Sequence, residues 1–189
     1  MKLVKDDEIK NISILKNEHN NILRMISILE KDVVFFMNNN LNDINIFNEY
    51  IDFIKNYADN YHHGKEEKIL FKYMTENLGS AAEKLVNNGM LVEHEFGRFF
   101  IRSLIENLKD YSINRTDSVK VKIIADVIGY CELLKRHIEK ENEVVYKFAI
   151  NNLSEDILIK IEKETEIYED KNSSVREKYE NWLIRKTNY

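Results

Sequence analysis

Four of the five histidines fall on apolar stripes of helical spacing, and two of these are followed four residues later by a glutamate: His62-x-x-x-Glu66 and His137-x-x-x-Glu141. Residues four apart on a helix share a face, so each pair aims an imidazole and a carboxylate at one point. His19 and His94 add an imidazole each from two other stripes. A single histidine on an apolar face is an ordinary core residue. A buried glutamate is not, because an unpaired carboxylate is costly to desolvate or is forced to protonate. Two such glutamates and four such histidines need a common solution, and a pair of cations supplies one. The candidate metal ligands are therefore His19, His62, Glu66, His94, His137 and Glu141.

Register separates these from their neighbours. His63 and Glu67 form an equally spaced pair, but their face continues backwards through Asp59, Asn56 and Asp52, all polar. The face of His62 and Glu66 continues through Ala58, Ile54, Ile51 and Phe47. His62 and Glu66 are thus expected to point inward, with His63 and Glu67 at the edge and His63 on the surface. Nitrogen and carboxylate donors without thiolate suit iron, manganese or zinc. Six ligands are too many for one tetrahedral zinc. They suit two metals bridged by both glutamates, each taking two histidines.

Long helices must position these residues. The spacing predicts a first helix from about Asp7 to Met37, with Ile12, Leu15, His19, Ile22, Ile26, Leu29 and Val33 on its stripe. A second runs from about Asn42 to Glu76, with Gly79 as a C-terminal stop. A short helix, Ala81 to Asn88, ends at Gly89. A third runs from about Met90 to Asp110 and a fourth from Asp117 to Asn152. Ser154, and Ser174-x-x-Glu177 as a capping box, open two further helices. The expected fold is all-α: an up-down-up-down four-helix bundle over 1–152, with a helical extension over 153–189 packed on it.

The rest of the chain agrees. Its 189 residues contain no proline, only five glycines, 43% hydrophobic and 32% charged residues, a mixture suited to amphipathic helices. A net charge of −5 disfavours nucleic-acid binding, which depends on Lys and Arg. The lone Cys131 supports neither a disulfide framework nor a cysteine-ligated cluster, and it reads as an inert packing residue. The charged N-terminus is unlike a signal peptide, and no apolar run approaches the ~18 residues of a membrane span. The expectation is a soluble, cytoplasmic protein with no membrane or nucleic-acid partner.

Four motifs carry a family resemblance: EHNNIL (Glu18 to Leu23), YHHGKEEKILF (Tyr61 to Phe71), EHEFGR (Glu93 to Arg98) and HIEKENEVVY (His137 to Tyr146). Together they resemble the hemerythrin-like HHE cation-binding family over roughly residues 8 to 152. The resemblance implies a four-helix bundle holding two oxo- or hydroxo-bridged irons. Lys72 and Lys147 stand where that family usually has proline, so the helices should run on without a kink. Arg98 stands where oxygen-carrying hemerythrins have a second third-helix histidine. That substitution implies one histidine fewer, an additional open position, and reactivity rather than reversible storage. Arg98 itself is expected to hold an anion or to pair with a carboxylate. Tyr61 and Tyr130 lie beside ligand faces, where core packing is the main expectation and a phenolate or a bridge hydrogen bond the alternative.

The implied function is binding or reduction of a small oxidant: dioxygen, hydrogen peroxide or nitric oxide. A di-iron peroxidase or other oxidoreductase would follow from it. The competing readings are a metal- or redox-dependent sensing module that uses the extension, for instance as a homodimer contact, and iron handling. Relatives that repair iron–sulfur clusters carry an additional N-terminal domain with a cysteine pair. This chain is read as beginning in the first helix, which weakens a repair role.

Overall fold

In a computed structural model, which describes residues 10–39 and 44–187, the chain is all-α, with no strand among the described residues. The expected helix starts at Asp7 and Asn42 lie outside the described residues. Helix α1 spans Lys10–Asn38 and buries the expected stripe from Ile12 to Val33, His19 included.

Helix α2 (46–78) is not uniformly α. It begins α-helical over Ile46–Phe53, winds wider over Ile54–His63 and Glu66–Leu70, and returns to α from Phe71. In wide, π-type turns the N–H bonds reach five residues back. One residue of helix is about 100° of rotation, so each extra residue re-aims everything after it. Gly79 ends α2 at φ 64, ψ −155, a conformation open essentially only to glycine. A Cβ there would meet nothing within 4 Å, so the requirement is conformational and not one of space. Gly79→Ala is expected to lower stability by about 1–3 kcal/mol, read as a lower urea midpoint at matched metal loading. An unchanged midpoint would refute this.

Beyond Gly79 the backbone stays helical as α3 (80–113), through a wide turn at Val86–Met90 into Leu91–Ile113. The expected stop at Gly89 does not occur. Gly89 is not left-handed, and without that reversal nothing interrupts the hydrogen bonding. Helix α4 (117–152) is capped by Thr116, whose side chain accepts from the Val119 N–H. It too contains a wide turn, Glu141–Val145, before Tyr146–Asn152. The helices continue through Lys72 and Lys147, as the absence of proline implies. The extension forms α5 (Glu155–Lys171) and α6 (Ser173–Thr187). Ser154 precedes α5 but makes no capping bond. The Ser174 capping box does not form, because the Asn172 carbonyl already accepts the Val175 and Arg176 N–H groups.

The core consists of two apolar clusters. On α1, Leu15 belongs to one and Ile22 to the other, with His19 between; on α2, Ala58 and Ile69 flank His62 and Glu66 in the same way. On α3, Met90 and Ile101 flank His94; on α4, Leu134 and Val145 flank His137 and Glu141. A polar layer thus divides the bundle at one level. Helices α5 and α6 lie against α1 and α2. No described helix is long and apolar enough to cross a membrane.

Candidate metal centre

All five histidines enter the polar layer, each held at Nδ1 by an acceptor outside it. His19 meets Asn142 Oδ1 at 3.0 Å, His62 meets Glu18 at 2.8 Å and His94 meets Glu67 at 2.7 Å. His137 meets Glu93 at 2.9 Å, and His63 meets Asp59 at 3.3 Å. With each Nδ1–H donated outward, every Nε2 presents a lone pair inward. Metal-bound histidines are oriented in this way.

The inner face is crowded with acceptors. His19 Nε2 and His137 Nε2 lie 3.1 and 3.2 Å from the two oxygens of Glu141. His62 and His94 Nε2 lie 3.7 and 3.6 Å from Glu66 Oε2, and the Nε2 atoms of His94 and His137 are 3.1 Å apart. Donors about 2.1 Å from one ion lie about 3 Å from each other when they are neighbours in its shell, so these separations match a coordination sphere. His63 Nε2, Glu66 Oε2 and both oxygens of Glu141 are fully buried without a hydrogen-bond partner. Buried orphans of this kind are rare in folded proteins, and here they converge. The donors form two overlapping groups, His63–Glu66–His94–His137 and His19–His62–Glu66–Glu141, with the donor atoms of each within 4.8 Å of one another. The residues therefore fit a pair of metal ions, which would accept every inward lone pair.

The charges agree with that fit. Burial, then the charge of Glu141, pushes Glu66 well above the usual carboxylate range. Burial would raise Glu141 as well, but the His137 ring beside it outweighs burial and holds it well below. Burial lowers His62 and His63 far enough to keep both rings neutral, the form a metal requires.

The hemerythrin HHE cation-binding domain model matches residues 10–149. The chain belongs to the hemerythrin HHE cation-binding family. No curated protein and no solved structure matches it. Family membership implies metal-ion binding, and the two donor groups are where this HHE chain can provide it.

The structure changes three expectations for this HHE site. His63 is not a surface residue. It is 5% exposed, and its ring stacks on His94 with centroids 3.7 Å apart. The wide winding of Ile54–His63 is the reason, since it turns His62 and His63 inward together where an α-helix would separate them. The site consequently gathers five histidines, not one fewer than an oxygen carrier, the fifth coming from α2 where Arg98 replaces it on α3. Arg98 pairs with carboxylates, reaching Asp59 at 2.7 Å, Glu67 at 2.8 Å and Glu95 at 2.7 Å. It thereby fixes the acceptors that orient His63 and His94.

The tyrosine at the site is Tyr146. Its hydroxyl donates to Glu66 Oε1 at 2.5 Å and lies 3.3 Å from His19 Nε2. Tyr61 donates instead to Glu169 on α5. Tyr130 is buried and packs beside Gly97. Burial pushes the Cys131 thiol up to about 12, in keeping with a packing role.

Proposed function

We propose that this HHE protein holds two iron ions at a carboxylate-bridged centre and there binds or reduces a small oxidant: dioxygen, hydrogen peroxide or nitric oxide. His19, His62, Glu66, His94, His137 and Glu141 are its ligands, with His63 as a further one. The observation that carries the proposal is the shared position of Glu66 in both donor groups. Imidazole and carboxylate donors without thiolate suit iron. Iron in such a site supplies one-electron chemistry and an open position for a small ligand.

The chain's own residues set the terms of access. Glu66 and Glu141 neutralise the ions, while Tyr146 holds one oxygen of Glu66 by a donated proton. A cavity of about 190 Å³ reaches His63 and His94 between the apolar side chains of Ile54, Ile101 and Ile105. Its size and walls admit a diatomic or peroxide molecule and exclude a bulky substrate.

The reading extends to topology. An up-down-up-down arrangement of α1 to α4 is supported by side-chain pairings in which ascending numbers on one helix meet descending numbers on the next. Glu18 meets His62 and Asp32 meets Tyr50; Asp59 meets Arg98 and Glu67 meets His94. Glu93 meets His137 and Ser103 meets Asp126.

Mixing the reduced, iron-loaded protein anaerobically with each of the three oxidants tests the function. A visible charge-transfer absorption is expected to appear or change with at least one. Silence towards all three would sink it.

A further inference from the structure

Resting on the metal-centre reading, we propose that the C-terminal extension is a working part of that centre. Glu169 on α5 positions His62 through Lys65 and Glu18, so that metal loading of the His19–His62 half and docking of α5 are coupled. Glu169 lies outside the family match, which ends at residue 149, so the matched domain alone does not supply this support.

The connection is a continuous run of buried charged groups. His62 Nδ1 donates to one oxygen of Glu18 at 2.8 Å. The other oxygen of Glu18 takes the Lys65 ammonium, which also reaches Glu169 at 2.6 Å. Lys65 is 2% exposed, and its Nζ stands 3.8 Å above the Tyr61 ring. Tyr61 donates to Glu169 at 2.7 Å, and Arg176 on α6 reaches its second oxygen at 2.8 Å. A buried ammonium must be paired, so Lys65 stays in place only while both acids flank it, and Glu18 is fixed only while Lys65 is there.

Close packing reinforces the link. Tyr168, next to Glu169, donates to the Asn60 carbonyl at 2.8 Å. A Cβ on Gly64 would come within 2.5 Å of its hydroxyl, so α5 lies directly against the turn that carries His62, His63 and Glu66.

The support is one-sided. His63 and His94 are oriented by Asp59 and Glu67, which Arg98 holds, and His137 by Glu93 with Lys140. His19 is oriented by Asn142. Of the five, only His62 is tied to the extension.

The test uses the full-length chain, cobalt(II) and the variant Glu169→Gln, which keeps shape and removes charge. Wild type should take up two ions per chain. In Glu169→Gln, chelator competition should show one ion weakened about tenfold, the low end for changes around a ligand, with the other within about twofold. In proton NMR spectra of the cobalt protein, the Nδ1–H signal of His62 should shift while those of the other histidines stay. Because coupling is reciprocal, backbone amides of α5 in the wild type should exchange at least about fivefold more slowly once metal is loaded. Equal weakening of both ions with a lower melting temperature would overturn the proposal, since α5 would then be only a structural brace. Unchanged affinities and spectra, or α5 exchange insensitive to metal, would overturn it as well. A wild-type chain that takes up no cobalt would instead remove the centre itself.

Discussion

Replacing Glu66 with alanine is expected to empty both halves of the centre, taking metal content from two ions per chain to well below one. Glu66 is the one residue common to both donor groups. It is fully buried, and its loss removes a donor and a negative charge from each ion at once. Residues that merely orient a ligand cost about 10–100-fold in metal affinity when mutated, so deleting a shared ligand should exceed that on both sides. The variant also leaves the Tyr146 hydroxyl without its 2.5 Å acceptor. His63→Ala is the contrast, because His63 belongs to one group only and should weaken one ion. Elemental analysis of protein purified from iron-supplemented medium decides the matter. Two tightly held ions in Glu66→Ala would mean that Glu66 bridges nothing.

The second large effect is on folding. Lys65→Met preserves most of the side-chain volume but leaves Glu18 and Glu169 facing each other, buried and uncompensated. Breaking a buried ion pair by removing one partner costs about 3–5 kcal/mol. A loss of that order in urea unfolding, at matched metal loading, is expected. Adding Glu169→Gln to Lys65→Met should restore about 1 kcal/mol or more, because interacting sites are not additive. If the double variant is less stable than Lys65→Met alone, the two side chains do not form the unit described.

The bundle could be read from the sequence because its stripes are amphipathic and free of proline. His19, His62, His94 and His137 could be placed because each interrupts an otherwise apolar stripe. The error over His63 came from extrapolating a uniform α-period through 46–78. No residue type announces a wide turn, yet two of them lie in this stretch and set the facing of the ligands. Asp59 was the usable clue. Its position four residues before His63 reads as a solvent face, whereas it holds the His63 ring at 3.3 Å and pairs with Arg98. A second clue is the aromatic series Tyr50, Phe53, Tyr57 and Tyr61, spaced three and four apart on α2 and buried on a different face from the ligands. It marks where Tyr179, Trp182 and Tyr168 of the extension pack. The acceptors Glu18, Glu67 and Glu93 sit inside the recognised motifs, but sequence gives them no partner. Only the pairing of helices brings each to a histidine on a neighbour.

The carboxylates that orient the histidines are themselves matched by bases: Glu18 by Lys65, Glu67 and Asp59 by Arg98, and Glu93 by Lys140. Glu66 and Glu141 have no such base. The cage is thus electrically closed on its outside and carries its uncompensated negative charge only at its centre. Two divalent cations would more than cancel that charge, leaving a positive interior in a medium where charge is poorly screened. Small anions such as azide or hydroxide should enter and hold more readily than neutral molecules of the same size. Monovalent cations should be turned away, whatever the ionic strength of the solution outside.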